Sequence, residues 1–308
     1  MNENNDVIEM KESTAKGKIV FEDCYSLYKF IEALNMLTDE IPLIVDSYNN
    51  ELILRFMDVS RICLIETTFS QPTNINTLKN LLKGKKNDGK NIDIIGNHYS
   101  INIQSSGKQS IDINDLKNIL KVKKVDEKIV TIVFEDPYKL LIEKKARSLG
   151  IIKKNLAYLN VEFDDINMNT LDRVEYPAKV IIKQKLLNDF FYESGIYSEV
   201  IGIEINEDGI HFTEDGVIGD SDTFYESNLL NVHNITTKSE KAHYSLSFLN
   251  LVKPIVGIME ENDVIKFELK TDHPLKVSIK FVKIGAEIIY YLACRVEEAD
   301  YEEPDEEF

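Results

Sequence analysis

A chain of 308 residues that is 43% hydrophobic can bury a substantial core, but 53 acidic against 36 basic side chains leave it with a formal net charge of -17. Such a surface repels phosphates, which excludes broad, nonspecific affinity for nucleic acid and confines any such contact to a local patch. No apolar run approaches the ~18 residues of a membrane-spanning helix. The polar, acidic opening MNENNDVIEMKES does not read as a secretory leader, so a cytosolic or nuclear address is expected.

Residues 1–17 have no apolar period and are expected to form a disordered extension, with the fold beginning at Lys18-Ile19-Val20-Phe21. From Asp23 to Leu37, the spacing of Leu27, Phe30, Ile31, Leu34 and Leu37 predicts a helix packed on one side, closed by Pro42. A hairpin follows, Ile41 to Ser47 and Glu51 to Met57, turning at Tyr48-Asn49-Asn50, where asparagine tolerates left-handed geometry. Residues 71–96 fit no element; their lysines, Lys83, Lys85, Lys86 and Lys90, mark a basic insertion that also fits a plain solvated loop. A second helix is predicted over Asn114 to Lys124, capped by Asp112 or Asn114, with Leu116, Ile119 and Leu120 inside. Strands Lys128 to Phe134 and Tyr138 to Lys145 flank Glu135-Asp136-Pro137, and a polar, acidic linker runs on to about Glu175.

The second half repeats this order. Lys183 to Tyr197 predicts a helix, Glu199 to Ile205 and Gly209 to Thr213 a hairpin around Asn206-Glu207-Asp208-Gly209, and Tyr244 to Met259 another helix. Strands Val264 to Lys270, Leu275 to Val282 and Glu287 to Cys294 follow, the first two separated by Asp272-His273-Pro274. The expected class is α+β, with two similar domains of antiparallel sheet carrying two helices each. The boundaries are 18–155, a connecting segment at 156–176, 177–299, and an acidic tail at 300–308.

Little in the chain points to catalysis. The five histidines, His98, His211, His233, His243 and His273, show no metal-ligand spacing, and there is no Walker loop, G-x-S-x-G elbow or G-x-G-x-x-G turn. Carboxylate pairs such as Asp164-Asp165, or Asp220 with Asp222, are expected by chance among so many acids. Cys24, Cys63 and Cys294 form no C-x-x-C pair and read as buried thiols. No catalytic residue, metal or cofactor is assigned.

Several segments resemble one family in order along the chain. Phe248-Leu249-Asn250, Asp272-His273-Pro274-Leu275 and Ile289-Tyr290-Tyr291-Leu292-Ala293 before an acidic tail are similar to the closing signature of the proliferating cell nuclear antigen type of sliding clamp, found in eukaryotes, archaea and some viruses. Ile31-Glu32-Ala33-Leu34 and Leu54-Arg55-Phe56-Met57-Asp58-Val59-Ser60 resemble its first helix and a strand-turn. The resemblance covers about residues 18 to 299 apart from the insertion. It implies a non-enzymatic processivity factor for DNA replication and repair, a ring, homotrimeric or heterotrimeric, whose helices line a hole around double-stranded DNA. Such a ring is cytoplasmic in an archaeon, and nuclear in a eukaryote or a nuclear virus. A clamp-like protein that does not encircle DNA, such as a viral transcription factor or a specialised heterotrimer subunit, is the alternative.

Three sets of residues follow from that resemblance. Lys29, Lys117, Lys121, Lys124, Lys183, Lys185 and Lys253 are the candidate channel lysines; Lys117, Lys121 and Lys124 fall at i, i+4 and i+7 of the predicted helix and so share one face opposite Leu116, Ile119 and Leu120, although each alone also fits an ordinary solvated helix face. Polymerase, clamp loader, ligase and nuclease would dock short peptides with aliphatic and aromatic anchors on Met57, Ile62, Leu159, Val161, Pro274, Tyr291, Leu292 and Ala293. Cys294 stands where the family usually has proline and Arg61 where it often has histidine. Between copies, an edge strand around Tyr138 to Arg147 would pair with one around Thr223 to Leu230, bringing Tyr138, Leu140, Ile142, Phe224 and Tyr225 to the joint.

Overall fold

Residues 15–70, 99–146, 150–161, 166, 168–230, 232–235, 239–260 and 263–295 are described by the structure, a computed structural model of the protein. The basic insertion, the acidic tail and residues 1–14 of the expected extension lie outside the described residues. The folded chain starts earlier than expected: Ala15 is buried and the first strand already includes Lys16.

The first half runs β1 (Lys16–Phe21), α1 (Cys24–Leu34), β2 (Glu40–Asp46), β3 (Glu51–Met57), β4 (Cys63–Ser70), β5 (Tyr99–Ser105), β6 (Gly107–Asp112), α2 (Ile113–Leu120), β7 (Ile129–Phe134), β8 (Lys139–Lys145) and β9 (Ile151–Ala157). Asp23 starts α1 by accepting the Ser26 backbone N–H at 3.0 Å and the Ser26 hydroxyl at 2.7 Å. Leu27, Phe30, Ile31 and Leu34 form its buried stripe. The helix stops at Leu34 rather than Leu37, because Met36 and Leu37 donate to Ala33 and Leu34 in tighter turns. Pro42 lies inside β2. The hairpin between β2 and β3 turns through Asn50 at φ 57°, with Asp46 accepting the Tyr48 N–H at 2.8 Å.

A short α3 (Asn169–Asp172) precedes the second half: β10 (Ala178–Ile182), α4 (Gln184–Glu193), β11 (Val200–Ile205), β12 (Gly209–Gly216), β13 (Gly219–Glu226), β14 (Val232–Ile235), β15 (Glu240–Ser245), α5 (Leu246–Leu249), α6 (Lys253–Gly257), β16 (Val264–Leu269), β17 (Leu275–Phe281) and β18 (Ala286–Leu292). The helix expected over Tyr244 to Met259 is split. Tyr244 pairs with Ile201 in the sheet and sends its hydroxyl to the His273 carbonyl at 3.1 Å, so helical structure begins only at Leu246. At Gly209 a β-carbon would come within 2.1 Å of the Tyr225 carbonyl oxygen, which reserves that turn for glycine.

The sheets carry the repeat. The first half contributes a five-stranded sheet, β5-β1-β7-β8-β9, and a four-stranded run, β4-β3-β2-β6. The second contributes β14-β10-β16-β17-β18 and β13-β12-β11-β15, the same orders element for element. One extra pairing, β18 against β4, fuses two of these into a nine-stranded sheet across the halves. The core is shared as well: Phe21 and Phe30 meet Phe69 edge-on, and Phe30 meets Phe281 of the second half at 5.3 Å. Helices α2, α1, α6 and α4 touch in that order, forming one row that spans both halves.

Candidate functional site

The helix row is where the candidate channel lysines fall, and the structure divides them. Lys117 donates to Asn35 at the end of α1 and to Asn114 at 3.2 Å, so it ties α2 to α1. Lys253 donates to the Phe191 carbonyl at 3.0 Å, tying α6 to the last turn of α4, and Lys29 pairs with Glu32 one turn along α1. These three lysines work within the row. Lys121, Lys124, Lys183 and Lys185 are exposed.

Lys117, Lys121 and Lys124 do not share a helix face. α2 ends at Leu120, Lys121 leaves it at ψ 125°, and Lys124 belongs to a separate 3-10 turn. The stop comes from Lys144 on β8, whose buried ammonium donates to the carbonyls of Ile119 at 2.5 Å and Lys121 at 3.3 Å. Burial holds the Lys144 pKa below the ordinary lysine value. What results is an exposed basic turn of Lys121, Lys123 and Lys124 around the buried Val122; Lys123 was missed, although the run K-V-K-K marks it. Exposed Asp115, Asp189 and Glu193 lie on the same helices, so the row is of mixed charge.

The second candidate site gathers where the halves join. β3 ends at Met57, β4 begins opposite Leu292, and the Ala293 N–H reaches the Ile62 carbonyl at 2.9 Å. The Tyr176 hydroxyl donates to the Pro274 carbonyl at 3.0 Å, and burial pushes the Tyr176 pKa well up. Met57, Ile62, Pro274, Tyr291 and Ala293 are thus neighbours at one sheet end. Leu292 is not a docking residue by position, because its side chain lies in the main core with 0% exposure. Leu159 pairs instead with Ser110 on β6, and Val161 is half-buried.

A small apolar cluster stands apart from the main core at this sheet end. Leu64, Tyr291 and Met168 are buried in it, with Met57, Ile289, Ile166 and Leu171 packed around them. Leu64 was missed because its outward position follows an irregular turn, and Met168 and Leu171 because their surroundings read as polar linker.

The two halves also differ at their margins. β8 is not an edge strand: it pairs with β7 and β9, and Leu140 and Ile142 are 1% exposed in the core. Among the described residues β9 and β5 end the five-stranded sheet and β13 and β15 the four-stranded one, and on β9 Ile151 stays 55% exposed. β13 ends at Glu226, with a 3-10 turn from Ser227 to Leu229. Phe224 is 38% exposed and stacks on His211 at 4.2 Å, whereas Tyr225 turns inward and donates to the Leu186 carbonyl at 2.7 Å. Tyr138 is exposed beside β9, its carbonyl accepting the Tyr158 N–H at 2.9 Å.

Among the described residues no helix is long and apolar enough to cross a membrane, and no group of three or more His, Cys, Asp or Glu side chains is placed to hold a metal. No family model matches the chain. Two archaeal proteins named DNA polymerase sliding clamp are similar in sequence: that of Methanobrevibacter smithii is 28% identical over 139 residues, 45% of this chain and 52% of its own, and that of Methanococcus vannielii 24% identical over 128 residues, 40% and 49%. The chain thus matches about half the length of these relatives. In structure, proliferating cell nuclear antigen from Thermococcus kodakaraensis aligns at a TM-score of 0.72 with 14% identity, covering 91% of this chain and all of that one. The chain has the sliding-clamp fold. The A. fulgidus clamp, solved with the C-terminal region of FEN-1 bound, aligns at 0.68 with 15% identity over 92% of this chain and all of its own. The clamp fold accounts for the doubled sheet order and for helices held in one row.

Proposed function

We propose that the protein is a DNA polymerase processivity factor, a sliding clamp whose copies close into a ring around duplex DNA and dock replication and repair proteins without catalysing a reaction. One observation carries this reading. The halves of the chain are joined by β4 and β18, and among the described residues the elements equivalent to those two, β13 and β9, each end their sheet with no strand beyond them. Repeating the internal joint between copies would pair β13 of one with β9 of the next and leave neither edge exposed. Identical subunits suffice, and by likeness to the clamps a homotrimer is the assembly.

The repeat also supplies a register. Leu54 and Phe212 are equivalent buried positions, facing Thr67 and Thr223; Ile142 and Val277 are likewise equivalent, facing Lys154 and Tyr290. Since Ile65 faces Tyr290 inside the chain, Ser221 would face Lys154 of the next copy. Asp222 then meets Lys153, and Phe224 meets Ile151. Opposite charges and apolar pairs directly across strands contribute about 0.2–1 kcal/mol each, and the apolar edges are covered together.

Two clamp domains belong to the same reading, one from β1 through β9 (Lys16–Ala157) and one from β10 through β18 (Ala178–Leu292), joined by the segment between them. Duplex DNA would pass the mixed-charge helix row, where exposed Lys121, Lys124, Lys183 and Lys185 meet phosphates without reading sequence, while the acidic remainder repels DNA from other faces. Polymerase, clamp loader, ligase and nuclease would dock peptides at the Met57–Tyr291 surface, as a FEN-1 segment is bound by the A. fulgidus clamp. A cytoplasmic location accompanies an archaeal-type clamp. Light scattering tests assembly, where a trimer is expected and a stable monomer favours a non-encircling protein; extension of a primed circle by the cognate polymerase tests function, and unchanged product length with and without the protein overturns the proposal.

A further inference from the structure

The repeat sets Asp222 on β13 where Glu66 stands on β4, and the two carboxylates have different partners. Glu66 accepts the Arg55 guanidinium of β3 at 2.6 Å and faces apolar Ile289 across the joint between the halves. Arginine stays charged at every physiological pH, so that carboxylate is satisfied within its own half. Thr213 stands in the place of Arg55 and supplies no charge, so Asp222 reaches along β12 to His211, whose Nδ1 lies 3.1 Å from both carboxylate oxygens and whose ring stacks on Phe224 at 4.2 Å. In the register proposed above, Lys153 of the next copy takes the position of Ile289.

The other charges around the imidazole are few. Glu204 on β11 stands directly opposite His211, held below the ordinary carboxylate range first by the Ser239 hydroxyl at 2.7 Å and then by Asn206, His211 and Lys241. Lys241 on β15 faces Glu204, His243 and Thr213 close over Gly202, and Glu226 shares the exposed side of β13 with Asp222. From the next copy, β9 would bring Lys153, and β8 would bring Lys145 and Glu143, which accepts Lys153 at 2.5 Å within that copy. Two cations and one anion make the incoming edge positive by one charge.

We propose that His211 makes the joint between copies sensitive to pH, holding Asp222 back from Lys153 of the next copy when the imidazole is protonated and releasing it when the imidazole is neutral. This rests on the ring reading and its register and adds their regulation. Neutral, the ring donates Nδ1–H to Asp222 and leaves the carboxylate its charge. Protonated, it cancels that charge and sets a cation against a positive edge, as Arg55 does for Glu66 but without an apolar residue opposite. Copies that must lose a proton to associate do so better as pH rises and worse as it falls through the ordinary histidine range near ~6.5.

The test is light scattering across a concentration series of the full chain, on either side of the histidine range at about pH 8 and about pH 5.5. One exposed charge pair is worth roughly two- to fivefold per joint, and three joints form together, so the concentration of half-assembly should rise about three- to tenfold at the lower pH. His211→Gln keeps a donor that never charges, and should assemble at the lower pH as the wild type does at the higher. Lys153→Met, a change on an exposed strand that leaves the core untouched, should blunt the response with His211 in place. A full pH response in either variant overturns the proposal, and so does wild-type assembly that is indifferent to pH, which leaves the ring reading standing. A wild-type chain that assembles at neither pH overturns the ring reading and this proposal with it.

Discussion

The joint between the halves and the strands β9 and β13, which end their sheets among the described residues, are the same structural position with opposite solutions. At the joint, β4 and β18 pair along seven positions, Tyr290 is buried with its hydroxyl on the Phe248 carbonyl at 2.8 Å, and Leu292 is in the core. At the edges, the equivalent residue to Tyr290 is Lys154, and Ile151 and Phe224 remain open to solvent. An internal joint is permanent, so it is built like a core; an edge that meets water carries lysine, aspartate and half-covered apolar groups, as the proposed joint between copies requires.

Breaking the two places should therefore read out differently. Tyr290→Ala removes a fully buried ring together with its hydrogen bond to the Phe248 carbonyl, and about 3–5 kcal/mol of stability should be lost in urea melts. Phe224→Ala should leave the monomer's melting within about 0.5 kcal/mol of wild type while shifting assembly toward smaller species in light scattering. A Phe224→Ala chain that melts like Tyr290→Ala would mean the edge is already part of the core.

The proposed register gives a sharper and smaller effect. Asp222→Lys places like charges across the joint and should weaken assembly several-fold at low salt, more than at high salt. Lys153→Glu in the same chain should restore it, since each joint then carries the reversed pair. Failure of the double change to recover the trimer would show that another register is used.

The smallest changes concern the helix row. Lys185→Ala should lower DNA affinity evenly across sequences and reduce the slope of log affinity against log salt by about one contact. Lys117→Met should instead act on thermal stability, because that ammonium is already bound to Asn35 and Asn114. Salt titrations of both variants on a duplex oligonucleotide check the contrast.

Much of the fold was legible because one-sided packing writes a period into the chain: β3 runs from Glu51 to Met57 as expected, and the stripe of α1 is buried as expected. β9 was illegible for the converse reason. An edge strand with both faces open has no alternation, and Ile-Ile-Lys-Lys-Asn reads as linker. The end of α2 was hidden too, since neither glycine nor proline follows Leu120, and the stop is supplied by Lys144 from another strand. For the candidate sites, sequence likeness located Met57, Ile62, Tyr291 and Ala293 together, but which linker residues reach them depends on how the chain returns across the sheet, and that is decided by packing.

Lys144 has a mechanical consequence beyond ending a helix. Its backbone pairs with Ile152 on β9, while its ammonium grips the carbonyls of Ile119 and Lys121. The basic turn is thus fastened to the strand beside the open edge, not only to the helix it follows. Any tilt imposed on β9 would pass through one side chain to the turn of Lys121 and Lys124, so in the proposed ring, closure and the aim of those charges would be a single movement.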